Sequence, residues 1–200
     1  MIYEKLIFLS GNKNKREEFS QMVEDLHCQV PKKDIPEIES KDEILVTAYK
    51  LKDMLNSIKL DSTAVYFIED TSLQIEGADI GTGIKHVLDN LPDFSGNRAK
   101  WIVTLAVSNG IKIDFYQGVV EGSLTYRPFG KNGFGFDQHF IPDKQLKLGT
   151  NFTLAEIPKN EKYKYSARFE AVKNFNKGNI LKSINISDLK DWNGDYQKED

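Results

Sequence analysis

The chain has 200 residues, enough for one domain with a sizeable core that needs no metal or disulfide staples. Hydrophobic residues make up 40% and aromatic residues 11%, which excludes a disordered chain, and no run approaches the ~20 apolar residues of a membrane-spanning helix. A net charge of −3 argues against a general nucleic-acid binder, and a single cysteine, Cys28, excludes an internal disulfide and a cysteine-cluster metal site.

The opening MIYEKLIFLS carries charge within its apolar run and lacks a small-residue cleavage site, so it does not read as a secretory signal. With the lone cysteine, this points to a reducing, cytoplasmic compartment. Leu6–Leu9 reads as a short buried strand. The turn and cap residues Ser10-Gly11-Asn12 follow, and then Phe19, Met22, Val23 and Leu26 recur at helical spacing. A second helix is expected behind Ser40-Lys41-Asp42-Glu43, which has capping-box spacing, with Ile44, Leu45, Ala48, Leu51, Leu55 and Ile58 on one face.

Ala64–Ile68 reads as a buried strand ending at Glu69-Asp70. Trp101, Val103, Leu105 and Val107 alternate before Asn109-Gly110, and Ile111, Ile113 and Phe115 alternate after it, which predicts a hairpin continuing through Val119, Val120 and Leu124. A glycine-rich loop over 127–137 and a last helix over Ala167–Phe175, capped by Ser166, complete the pattern. The order predicts an α/β or α+β domain with a mixed sheet, in one domain over 1–177. Residues 178–200 read as a partly disordered polar tail.

Four segments could carry chemistry. Ser10-Gly11-Asn12-Lys13-Asn14-Lys15 lies between a strand and a helix, where free N–H groups, a permissive glycine and a mobile ammonium suit an anion; an ordinary capped helix start is the alternative. Glu69 and Asp70, with Glu37, are costly to leave as unpaired carboxylates, and Mg²⁺ would remove that cost; a solvated loop start is the alternative. In Gly133-Phe134-Gly135-Phe136-Asp137, a planar base could stack on a ring and Asp137 could accept from its N–H groups; rings packed at the core edge are the alternative. Basic residues in Glu161–Arg168 stand where a helix dipole disfavours them unless an anion lies between them. His27, His86 and His139 show no metal-ligand spacing.

In order, these segments resemble the inosine triphosphate pyrophosphatase family, from about Leu6 to Phe175. Ser10-Gly11-Asn12-x-x-Lys15 is similar to its phosphate loop, Pro36-Glu37 to its metal-associated glutamate, and Lys50 to its helical lysine. Glu69-Asp70-Thr71-Ser72-Leu73 resembles its acidic motif, and Phe134-Gly135-Phe136-Asp137 its base-binding motif. Ala155-Glu156-Ile157, Glu161-Lys162 and Ser166-Ala167-Arg168 resemble its closing motifs. Two departures stand out: Ala167 replaces a histidine that helps read the purine, and Gly81-Thr82-Gly83 lacks a proline.

The resemblance implies an elongated mixed β-sheet with flanking helices, two lobes around a central nucleotide cleft, and a homodimer with no nucleic-acid or membrane partner. It implies Mg²⁺-dependent hydrolysis of non-standard purine nucleoside triphosphates to the monophosphate and pyrophosphate. Glu37, Glu69 and Asp70 would hold metal, and Asp70 would also be the general base. Ser10–Lys15, Lys50, Lys162 and Arg168 would clamp phosphate, with Thr71 beside them. Phe134, Gly135, Phe136, Asp137 and Ala167 would meet the base. The alternative is a nucleotide-binding protein with altered base specificity or lost catalysis, motivated by Ala167.

Overall fold

The computed structural model describes residues 4–32, 35–78 and 91–197. The Gly81-Thr82-Gly83 segment and His86 lie outside these. Among the described residues, seven strands form one mixed sheet: β1 (Lys5–Leu9), β2 (His27–Gln29), β3 (Ala64–Ile75), β4 (Arg98–Ser108), β5 (Lys112–Leu124), β6 (Phe140–Pro142) and β7 (Lys182–Asn185). The order is β2-β1-β3-β4-β5-β6, with β7 also on β5. β1 runs parallel to β2 and β3, whereas β6 and β7 pair antiparallel with β5. The expected mixed sheet and the Asn109-Gly110 hairpin are both present.

The helices among the described residues are α1 (Lys13–Ser20), α2 (Glu43–Asn56), α3 (Asp143–Lys147), α4 (Lys159–Lys162) and α5 (Ala167–Asn176). The chain forms two compact units: residues 1–70, 104–117 and 172–200 in the first, and 71–103 and 118–171 in the second.

In the first unit, strand alternation sends neighbouring residues to opposite faces of the sheet. Phe8 and Phe67 stack at 4.6 Å and meet Phe19 of α1. Leu9, Tyr66 and Ile68 instead join Leu51, Met54 and Leu55 of α2, with Ile113 and Phe115. In the second unit, Trp101, Phe136 and Phe140 meet edge to face, and α5 lies directly on β5, so close that a Cβ at Gly118 would overlap the backbone of Ala167 and Ala171.

Several boundaries differ from expectation. α1 stops at Ser20, because the N–H groups of Met22 and Val23 both turn back to the Phe19 carbonyl and Asp25 takes a positive φ of 52°. Leu26 therefore leads into β2 rather than extending the helix. α2 is capped by Asp42, whose carboxylate accepts from Ile44 and Leu45, while Ser40 accepts from the Asp42 N–H. Asp42 is the better-placed acceptor for the first free N–H groups.

β3 does not end at Glu69-Asp70 but runs on to Ile75, because Leu73 and Ile75 keep the buried alternation going. The segment after Lys177 is not a loose tail over its described part. β7 pairs with the first residues of β5, and Ser183 Oγ donates to buried Asp114 at 2.5 Å. The polar composition hid a strand whose partner is about seventy residues away in the sequence.

Candidate functional site

Two clusters of charged side chains are built, one in each unit. The first follows from β3. Glu69 comes one residue after Ile68 and so shares the face of Phe67, over which α1 packs. Its carboxylate is fully enclosed and meets Lys15 of α1 at 2.8 Å. Asp70 leaves on the face of Ile68, over which α2 packs, and meets Lys50 of α2 at 3.5 Å. Lys50 also donates to Glu37 at 2.5 Å. The adjacent carboxylates leave on two faces, each toward its own lysine, and, beyond burial, Glu69 still helps to raise the Asp70 carboxyl, as like charges do.

Burial pushes the Asp70 carboxyl above its ordinary value, with Lys50 and Lys15 offsetting part of the effect. Burial pulls Lys50 down, but Asp70 and Glu37 outweigh it and hold its ammonium above the ordinary lysine range.

Upstream, the loop before α1 is tied by its own side chains. Ser10 Oγ accepts from the Asn12 N–H and Asn12 Oδ1 from the Lys15 N–H, both at 3.2 Å. Arg16 Nη1 donates to the Ser10 carbonyl at 2.8 Å, a support that sequence reading missed because Arg16 falls outside the motif. Gly11 has open space where a Cβ would stand. Asn14 is exposed, and Lys13 points to solvent and pairs with Glu17 at 3.7 Å, away from the carboxylates that Lys15 meets. Lys13 is therefore not part of this cluster.

The donor chemistry of this cluster suits a hard cation. Glu37, Glu69 and Asp70 set three carboxylates against two ammoniums, and Glu37 and Asp70 converge on one positive centre, Lys50. Among the described residues, no three His, Cys, Asp or Glu side chains are gathered as a ligand set, so the expected three-carboxylate site is not preassembled. The reason is the strand alternation that parts Glu69 from Asp70. Mg²⁺ takes one or two carboxylates plus phosphate and water, and the Glu37–Asp70 pair fits that demand.

The second cluster surrounds Phe134. Arg168 lies between two rings, its guanidinium carbon 5.2 Å from the Phe134 centroid and 5.3 Å from that of Trp101. It also donates to Thr71 Oγ1 at 3.1 Å. Lys162 Nζ is 5.1 Å from the Phe134 centroid and 2.6 Å from Asp137 Oδ2. Asp137 accepts from the Phe134 N–H at 2.7 Å as well. Gly133, at φ 87°, is required here, because a Cβ would overlap the Asp137 carboxylate.

Of the two expected base-stacking rings, Phe136 is 6% exposed and packs edge-on to Trp101 and Phe140. It is core, and Phe134 alone presents a partly open ring. Gly135 has space around it at φ 62°. Lys162, expected on phosphate, is buried against Asp137 instead, because a lone ammonium there would be costly. Ala167 is fully buried at the start of α5, and Ser166 accepts from the Arg168 N–H. Trp101 went unnoticed as a partner of Arg168; its place in an alternating strand was the signal, but nothing in the sequence tied it to α5.

The Ham1 family profile matches residues 6–178. The dITP/XTP pyrophosphatase of Pyrobaculum aerophilum is 30% identical over 174 residues, 81% of this chain and 89% of that protein. That of Korarchaeum cryptofilum is 32% identical over 177 residues, 82% of this chain and 89% of its own. The Staphylococcus aureus Ham1 protein, 21% identical, shares the fold with a TM-score of 0.64, covering 88% of this chain and 100% of its own. The family read from the ordered motifs is borne out: this chain belongs to the Ham1 family.

Proposed function

We propose that this protein hydrolyses non-standard purine nucleoside triphosphates, of the dITP and XTP kind, to the monophosphate and pyrophosphate. The observation that carries this reading is the carboxylate and ammonium cluster of the first unit, in a chain of the Ham1 family. The first unit offers carboxylates and exchangeable ammoniums, the chemistry of a metal-bound triphosphate. The second offers an accessible ring flanked by cations, the chemistry of a planar base.

Lys15 and Lys50 are held by carboxylates in the free protein and would turn to phosphate oxygens in the complex, with the Ser10–Asn14 backbone beside them. Glu37 and Asp70, with Glu69 behind them, would hold Mg²⁺, which when bound supplies neutralisation of phosphate charge and acidification of water. Asp70 would accept the proton of the attacking water; burial raises its proton affinity toward what a base at neutral pH needs. Phe134 would stack on the base, with Arg168 held beneath by Trp101 and Thr71. Asp137 acts by fixing Lys162 and the Phe134 backbone. Ala167 supplies no hydrogen bond to a base, so selectivity is broader or shifted relative to relatives with an imidazole there. The same reading carries a homodimer and a cytoplasmic location.

The test is pyrophosphate release from inosine, xanthosine, deoxyinosine and the four ordinary triphosphates, with and without Mg²⁺. Metal-dependent release with a preference for 6-oxopurines is the expected result. Release of orthophosphate instead, or no hydrolysis of any triphosphate, overturns the assignment.

A further inference from the structure

Glu37 sits on neither a helix nor a strand, yet its carboxylate must stay against Lys50. What holds its backbone is the far end of the chain. Gln197 donates its N–H to the Glu37 carbonyl at 2.8 Å, and the Glu39 N–H donates to the Asp195 carbonyl at 2.9 Å. Between them Ile38 and Tyr196 form an antiparallel bridge, and Gln197 Nε2 donates to the Ile38 carbonyl at 3.2 Å.

This strap is itself anchored on α2, the helix that carries Lys50. Tyr49 Oη donates to the Lys190 carbonyl at 2.9 Å, and Lys52 donates to that of Leu189 at 2.8 Å. The Trp192 ring meets Tyr49 at 5.4 Å and closes on itself through Nε1 to the Asp195 carbonyl. Ile38 is buried beneath Trp192 and Leu189, beside Val46 and Tyr49. A Cβ at Gly194 would press on the Trp192 ring. Residues 189–197 lie beyond residues 6–178, the span that the family profile matches.

We infer that the C-terminal strap Trp192–Gln197 is a positioning element for Glu37: it fixes the Glu37–Glu39 backbone so that the carboxylate converges with Asp70. It touches no reacting group and acts through Glu37. The inference rests on the function proposed above for what it contributes to catalysis, but the positioning itself can be read without turnover.

The decisive variant is Gln197→Pro in the full chain, which deletes the N–H that donates to Glu37 while its neighbour Tyr196 is already extended. Gln197→Ala, which keeps that N–H, is the milder comparison. Three quantities are read: amide exchange across residues 35–40, Mn²⁺ affinity by electron paramagnetic resonance without nucleotide, and metal-dependent pyrophosphate release.

In Gln197→Pro, exchange across 35–40 should quicken while exchange in β3 stays as in the parent. Mn²⁺ affinity should fall about 10- to 100-fold, the usual range for groups that orient metal ligands. Gln197→Ala should lie between the two. Parent-like exchange across 35–40 in Gln197→Pro overturns the strap, and so does quickened exchange with unchanged Mn²⁺ affinity. If the parent protein binds no Mn²⁺ and releases no pyrophosphate, the functional reading fails. Faster exchange confined to 35–40 then still supports the strap as the support of Glu37.

Discussion

The two charged clusters solve the problem of buried charge in different ways. In the first unit, Lys15 and Lys50 are 19% and 15% exposed at the side chain and reach their carboxylates from the helices on either side of β3. In the second, Lys162 and Asp137 are 5% and 4% exposed, and the pair is locked by the Phe134 N–H and by rings. An ammonium near solvent can trade one anion for another at modest cost, whereas a desolvated pair cannot lose a partner without stranding a charge. The open ends of the first cluster, Lys15, Lys50 and Glu37, are therefore placed for exchange, with Glu69 enclosed behind them, whereas both members of the second cluster's pair are fixed.

The largest effect expected from breaking this contrast is on turnover in the first unit. Asp70→Asn keeps the volume and removes the proton acceptor, so kcat should fall about 10²–10⁴-fold while the fold survives. Pyrophosphate release beside a thermal melt checks both halves. Parent-like turnover would leave Asp70 a structural carboxylate only.

The locked pair should answer in stability instead. Asp137→Ala leaves Lys162 buried without its carboxylate and frees the Phe134 N–H, at a cost of ~3–5 kcal/mol. Adding Lys162→Met should recover part of it. Urea unfolding of the two variants decides the matter; a single variant as stable as the parent would mean that the pair locks nothing.

A smaller effect sharpens the exchangeable side. Lys15→Ala should weaken triphosphate binding about 10- to 100-fold, the loss of one charged hydrogen bond, and the deficit should shrink as salt rises. Calorimetric titration at low and high ionic strength measures it. Unchanged affinity at low salt would mean that Lys15 serves Glu69 alone.

The smallest effect calibrates both clusters against an ion pair on the surface. Thr63's backbone N–H, then Lys5 and the Thr63 hydroxyl, hold the Asp61 carboxyl down at about 2, against an ordinary value of 3.8. Because the folded pKa lies below the unfolded one, its contribution is full above the ordinary value and is lost as pH falls through about 2. The advantage of the parent over Asp61→Asn should therefore shrink as melts are taken from pH 5 down to pH 2. An advantage that does not change with pH would place the effect outside this carboxylate.

Alternation, turn chemistry and motif order are local properties of a chain, and they were legible without a structure. The strands around Asn109-Gly110, the helix carrying Lys50, the loop before Lys15 and the family itself all follow from residues near one another in sequence. What the sequence could not decide is which groups meet across long separations. Phe134 and Phe136 are two residues apart and alike in composition, yet Phe136 packs on Trp101 and Phe134 stays partly open. Glu69 and Asp70 are adjacent, but the helices packed on each face of β3 assign them to different lysines. The polar stretch after Lys177 had no apolar period to announce it, and it became a strand and a strap because unpaired main-chain groups on β5 and beside Ile38 were there to receive it. Local pattern determines elements and chemistry; the pairing of buried charges and of main-chain donors is settled only when tertiary packing chooses which partners share one low-dielectric space.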